Sequence, residues 1–267
     1  MAGHIAVDFF SKSKDYNVSS LQENDIIDVK NNIIADINII KKSAPDIVVN
    51  CIRWLVQESQ QNTLKAILYN SYLPKFLEKS FRNKHTKIIH LSSDCIFSGN
   101  KGNYSEESDA DGSSNYALTK FLGEINNEKD LTIRTSYIGP NINESSEELF
   151  HWFMMQNNLV NGYSKVFWTG ITTLELSKSI DVLIKNNVSG IYHVVPKYKI
   201  SKYDLLVLIK NIWKKNDVTI VPDSRISNDR SLIDTRNIIH VNNYEIIFHQ
   251  LYDYMIENKK RYKQYFE

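Results

Sequence analysis

Glycine is scarce in this chain: nine among 267 residues, and none between Gly3 and Gly99. A phosphate-cradling turn needs glycine's backbone freedom, so residues 4–98 contain no segment able to serve as one. Cysteine is scarcer still. Cys51 and Cys95 each follow a strand-like apolar run in unrelated surroundings, which excludes a disulfide framework and points to reduced thiols. No apolar run approaches the roughly 18 residues of a membrane span, and no leader-like segment is evident. The expectation is a cytoplasmic protein with no membrane partner. A formal charge of +1 gives no basic field for nucleic acid. Seven histidines are scattered without ligand spacing, so no metal site is expected. The basic tail Asn258-Lys259-Lys260-Arg261-Tyr262-Lys263 reads as a polar terminal helix.

What is present is ordinary globular composition, 42% hydrophobic and 24% charged, in a chain long enough to bury a substantial core. Strand-like and helix-like segments alternate through the first two thirds, the pattern of a parallel sheet with helices on both faces. The expected elements are a helix over 4–13, a weak strand at 16–18, a strand over 46–51, and a helix over 60–78 interrupted near Pro74. A strand over 87–91, a helix over 114–126 and a strand over 131–135 follow. Beyond residue 141, helices are expected over 147–157, 174–185, 202–214 and 243–258, with strands over 190–195 and 218–222.

The chemistry concentrates in two runs, Leu91-Ser92-Ser93-Asp94-Cys95-Ile96-Phe97 and Asn115-Tyr116-Ala117-Leu118-Thr119-Lys120. Tyr116 and Lys120 are four apart, so a helix puts them on one face. Ser93 follows the apolar run Lys87-Ile88-Ile89-His90-Leu91, which reads as a buried strand. A hydroxyl at a strand's carboxyl end, with Tyr and Lys on a later helix, suits proton donation to a carbonyl. Tyrosine at its usual pKa of about 10 is a sluggish donor, and a nearby ammonium lowers that pKa toward working pH.

These residues resemble the short-chain dehydrogenase/reductase superfamily and, within it, the extended branch of dTDP-4-dehydrorhamnose reductase. The resemblance is carried by the run from Ser93 to Glu107 and by Asn115-Tyr116-Ala117-Leu118-Thr119-Lys120-Phe121-Leu122-Gly123-Glu124. Pro45-Asp46-Ile47-Val48-Val49-Asn50-Cys51, Arg134-Thr135-Ser136 and Gly170-Ile171-Thr172-Thr173-Leu174-Glu175-Leu176 add to it. It implies a Rossmann-like doubly wound α/β fold over 1–140, with a smaller substrate-binding lobe over 141–267 interleaved with the last Rossmann strands. It implies reduction of the 4-keto group of a nucleotide-linked 6-deoxyhexose with NADP or NAD, in building a surface glycan. Tyr116 would be the general acid, Ser93 would polarise the carbonyl, and Lys120 would assist Tyr116 and hold the nicotinamide ribose. Gly3, His4, Asn50, Cys51 and Asn70 would lie along the cofactor. Asp94, Arg134, Ser136, Trp168, Thr172 and Arg230 would hold the nucleotide-diphosphate sugar, helped by Tyr163 and the loop 161–173. A homo-oligomer is compatible with all of this.

The cofactor half of the resemblance is thin. Gly3 looks like the last glycine of a fingerprint whose earlier glycines and first strand are absent, and the second strand looks eroded. The segment that would distinguish NADH from NADPH is the eroded one. Three readings stay open: a reductase, a cofactor-free regulatory or sugar-nucleotide-binding protein, and a reading frame in which Met1 is internal. Arg53 and Trp54, where the family has smaller residues, either fill the groove or pair with a phosphate. Asn70 and Trp168 read equally well as cofactor or substrate contacts and as packing.

Overall fold

The computed structural model describes residues 1–28, 33–34, 37–142 and 148–266. Its centre is a parallel sheet of four strands in the order Ile47–Asn50, Lys87–Leu91, Leu131–Arg134 and Gly190–His193. The two middle strands are buried throughout, their polar residues included, as strands covered on both faces are. Alternation across the strand sets the two faces of the core. Ile88 packs with Leu68, Leu73, Leu77 and Phe81 on one side. Ile89 and Leu91 pack with Ile5, Phe10, Leu176 and Ile180 on the other. The helices Ala2–Ser11 and Thr173–Lys185 therefore cover one face, and the helical run from Val56 to Phe81 covers the opposite one. This is the doubly wound α/β architecture, with Ile47–Asn50 as an edge strand.

The long helix expected over 60–78 is instead a chain of segments: Val56–Gln61, Thr63–Ala66, a π-helical turn Ile67–Tyr72, and Leu73–Phe81. Pro74 cannot donate a backbone hydrogen bond and would crowd the carbonyl of Asn70. The wider π turn relieves that crowding. Against the same carbonyl packs Gly123, where an added Cβ would lie 1.9 Å from the Asn70 oxygen. The glycine thus lets the helix Asn115–Gly123 approach the π turn.

Three further expectations need correction. Residues 161–173 are not a loop: Asn158–Trp168 is the central strand of a second sheet. It lies parallel to Val218–Asp229 and antiparallel to Ile200–Ser201. Asn161-Gly162 looks like a turn, but Gly162 is needed because a Cβ there would sit 2.9 Å from the Tyr203 Cα. The strand expected over 218–222 continues through Pro222 to Asp229, and Pro222 is tolerated because this is an edge strand. The tail is no polar helix. The last long helix, Tyr244–Glu257, ends before it, and Tyr262 and Tyr265 are buried. The Tyr265 hydroxyl is 2.8 Å from His151 Nδ1 and accepts from Asn141 N.

Boundaries elsewhere shift by a few residues. Residues 16–18 form no strand; the Tyr16 hydroxyl instead donates to Asp181 at 2.6 Å. The helix expected over 147–157 is seen as Leu149–Met154, and Glu147 lies outside the described residues.

Candidate active site

Ser93 leaves the strand Lys87–Leu91 in an extended conformation and caps the 3₁₀ turn Asp94–Ile96. Its Oγ accepts from Cys95 N and donates to Asp94 Oδ1, both at 3.1 Å. The helix Asn115–Gly123 is fixed by Ser114, whose side chain accepts from Ala117 N at 3.1 Å. That cap turns Tyr116 inward, where it is buried. Burial pushes the Tyr116 phenol up; the Arg53 guanidinium and the Ser93 hydroxyl pull it back, while Cys95 and Asp94 add to the rise.

Lys120 follows one turn later and is also buried. Its Nζ donates to the Leu91 carbonyl at 2.5 Å and lies 3.4 Å from His90 Nε2. Burial first, then Arg53, bring its pKa down to about 7, against the opposing pull of Glu124 and Cys51. His90 Nδ1 is 3.2 Å from Asn50 Nδ2, and Asn50 Oδ1 accepts from Ile52 N. Asn50, His90 and Lys120 thus form one buried polar chain under the site.

The other residues expected along a cofactor are placed as follows. Gly3 packs by Cys51, where an added Cβ would meet only the Cys51 Cβ at 3.8 Å. His4 Nε2 is 2.9 Å from the Tyr262 hydroxyl, and burial lowers its pKa to about 4. Burial raises the Cys51 thiol to about 11. Asn70 clamps Trp54, accepting from its N–H at 2.9 Å and donating to its carbonyl and to Thr119. Lys120 has three ammonium donors and gives one to the Leu91 carbonyl, so donors are left for a ribose hydroxyl. The residues present therefore fit the nicotinamide-ribose end of a dinucleotide. At the pyrophosphate end, the described residues show no glycine cradle.

Beside Ser93 lies a cavity of about 130 Å³. Of the six residues expected to hold substrate, Asp94, Ser136, Trp168 and Arg230 line it. The other two are committed elsewhere. Arg134 is buried in a double hydrogen bond to Glu124 and donates to the Glu106 carbonyl. Thr172 caps the helix Thr173–Lys185, accepting from Glu175 N. Tyr163 is exposed on the second sheet and does not line the cavity.

The structure adds two cavity residues that sequence reasoning passed over, Lys202 and Asn228. Lys202 Nζ lies 4.7 Å over the Trp168 ring, and burial lowers its pKa to about 8. The signal was there: Ser201 accepts from Asp204 N as a helix cap, which fixes Lys202 in the first turn. Among the described residues, Trp168 Nε1 and Arg230 Nε find no hydrogen-bond partner and are buried. The cavity is thus rich in donors, as a site for phosphate and hydroxyl oxygens would be.

A parallel sheet with Ser93 just past a strand end, and Tyr116 and Lys120 one turn apart on a later helix, defines an extended short-chain reductase-like fold. The comparisons narrow this. The family model described as the RmlD substrate binding domain matches residues 5–231, and the chain belongs to this dTDP-4-dehydrorhamnose reductase family. A dTDP-4-dehydrorhamnose reductase from Clostridium acetobutylicum superposes with a TM-score of 0.81 at 19% identity, covering 96% of each chain. The Bacillus anthracis dTDP-4-dehydrorhamnose reductase in complex with NADP gives 0.77 at 15% identity, over 92% of this chain and 94% of that one. The dTDP-4-keto-6-deoxy-D-glucose reductase of Streptomyces niveus is 22% identical over 178 residues, 62% of this chain. The chain spans 60% of the length of that curated relative.

Proposed function

We propose that the chain reduces the 4-keto group of a nucleotide-linked 6-deoxyhexose, in deoxysugar building for a surface glycan. The observation that carries this reading is the buried Tyr116 and Lys120, one turn apart on a helix behind the Ser93 turn, beside a donor-rich cavity. A bound nicotinamide cofactor, NADP or NAD, supplies the hydride. Ser93 and Tyr116 direct their hydroxyls at the keto oxygen, as oxyanion-stabilising donors do. Tyr116 then gives its proton to that oxygen, and the positive groups around it stabilise the phenolate left behind. Lys120, with Asn50 behind His90, anchors the ribose side. Arg230 and Lys202 bind diphosphate oxygens, and Trp168 offers an apolar face to the sugar.

The reading includes a division into a cofactor-binding portion over 1–140 and a mainly substrate-binding portion over 141–267. It also includes a cytoplasmic location and the possibility of a homo-oligomer. The test is a fluorescence titration of the chain with NADPH and with NADH, followed by turnover assays on dTDP-4-keto-6-deoxy sugars. Micromolar cofactor binding with turnover that Tyr116→Phe abolishes supports it. No binding at millimolar cofactor overturns it for this chain.

A further inference from the structure

His90 is the middle member of the polar chain under the site, on the strand Lys87–Leu91, and is fully buried. The hydrogen bonds around it fix where its proton lies. The backbone N–H of Ile52 can only donate, so the Asn50 atom it meets at 3.1 Å is the amide oxygen. The Asn50 NH₂ group therefore faces His90 Nδ1, at 3.2 Å. An amide NH₂ only donates, so Nδ1 must accept and carries no proton. Burial keeps the ring neutral, which leaves its one proton on Nε2. That N–H meets Lys120 Nζ, 3.4 Å away. An ammonium has three donors and no acceptor; only the amine offers a lone pair. We propose that Asn50 and His90 are positioning residues that hold Lys120 as a neutral amine, its Nζ lone pair accepting from His90 Nε2–H.

The remaining contacts suit an amine. It keeps two N–H groups, one for the Leu91 carbonyl at 2.5 Å and one for a ribose hydroxyl. The groups acting on Lys120 are Arg53 and Cys51 from beyond the edge strand, Glu124 just past its own helix, and His90. Tyr116 lies one turn earlier on that helix. Arg53 opposes a second cation. Glu124 favours one, but its carboxylate is taken by Arg134 and Ser92. Lys75 and Lys120 both oppose a charge on the His90 ring. Proton uptake at Nζ consumes the lone pair that His90 Nε2–H uses, so the Lys120 charge and this hydrogen bond exclude each other. The consequence for catalysis rests on the reading of Tyr116 as the proton donor. The cation one turn from the phenol forms only when Lys120 takes up a proton, so its help fades as pH rises through neutrality.

The test is NMR on the full chain without cofactor or substrate, so its result is separable from whether the chain reduces a sugar. In protein labelled with ¹⁵N-histidine, long-range ¹H–¹⁵N correlations show which ring nitrogen of His90 carries the proton. Labelled with ¹³C-lysine, the Lys120 Cε signal follows ionisation of the amine. His90→Gln and Lys120→Arg serve to assign the two signals. In the wild type the Nε2–H tautomer is expected at mildly alkaline pH, with Lys120 titrating near 7 instead of the ordinary 10.5. Asn50→Asp puts an acceptor where the NH₂ was. His90 is then expected to move its proton to Nδ1, and the Lys120 midpoint to rise by about one pH unit or more. A proton on Nδ1 in the wild type, or a Lys120 that stays charged into the ordinary lysine range, overturns the proposal. Both wild-type readings stand if Asn50→Asp fails to fold; a folded Asn50→Asp that keeps the wild-type tautomer overturns it as well.

Discussion

Glu124 takes one whole edge of the Arg134 guanidinium, Nε donating to Oε1 at 2.9 Å and Nη2 to Oε2 at 2.8 Å. Glu124 stands just past the helix that carries Tyr116 and Lys120, and Arg134 ends a central strand. Ser92, next to Ser93, donates to the same carboxylate at 2.6 Å. The pair therefore ties the helix, the strand and the Ser93 turn into one unit. Both side chains are buried, and removing one partner of such a pair costs about 3–5 kcal/mol because a charge is left uncompensated. Arg134→Met is expected to lose stability of that order in urea unfolding. A variant as stable as the wild type, with weaker sugar-nucleotide binding alone, would assign Arg134 to substrate instead.

Gly123→Ala should be costly for its size. A methyl group there meets the backbone carbonyl of Asn70, which cannot rotate away as a side chain could. Overpacking of this kind costs about 1–3 kcal/mol. Thermal melts of Gly123→Ala and of Gly139→Ala would show whether the Asn70 contact is the tighter restraint: at Gly139 a Cβ would meet the Thr173 side chain.

His4 gives a pH dependence with a definite sign. Its pKa falls from 6.5 to about 4 in the folded chain, chiefly through burial and then through the nearby amino terminus. The folded state binds fewer protons between those values, so stability is full above pH 6.5 and declines as pH falls toward 4. The whole effect is at most about 3 kcal/mol. Burial lowers His90 and His193 as well, so they act in the same direction. Denaturant midpoints measured across this window should fall less steeply in His4→Gln. An identical slope would show that the His4–Tyr262 contact does not discriminate the protonated ring.

For catalysis, Tyr116→Phe keeps the ring and removes the proton. Turnover is expected to fall about 10²–10⁴-fold, the usual worth of a positioned general acid, with KM little changed. Arg230→Ala and Lys202→Ala should instead raise KM for the sugar nucleotide while leaving cofactor affinity alone. Steady-state kinetics with saturating cofactor separate the two patterns. A KM effect confined to Tyr116→Phe would place the substrate's charged end outside the cavity.

Local chemistry made some of this visible in the sequence. The run Lys87–Leu91 reads as a buried strand and is one, and the helix expected over 114–126 forms over Asn115–Gly123, with Ser114 as its cap. The second sheet was hidden because Asn158–Trp168 pairs with a strand some 60 residues later, and Asn161-Gly162 has turn composition. Burial also misdirected the reading of charge. Arg134 looks like a ligand for phosphate until Glu124 is seen across from it, ten residues earlier. Lys202 looks like a solvated helix residue until the fold lays it over Trp168. The terminal tyrosines sit among lysines; His4 draws Tyr262 inward, and Asn141 and His151 draw in Tyr265.

The π turn at Ile67–Tyr72 makes chain length itself a structural parameter here. It spreads one extra residue over the angle that an α-helical stretch covers, where successive residues are rotated by about 100°. Deleting one residue there lets ordinary helix geometry resume with Leu73, Leu77 and Phe81 still facing the sheet, whereas adding one swings them aside by about that angle. In this segment a substitution is a smaller change than an insertion, and lengthened variants should fail to fold where alanine replacements of the exposed Ile67 or Tyr72 succeed.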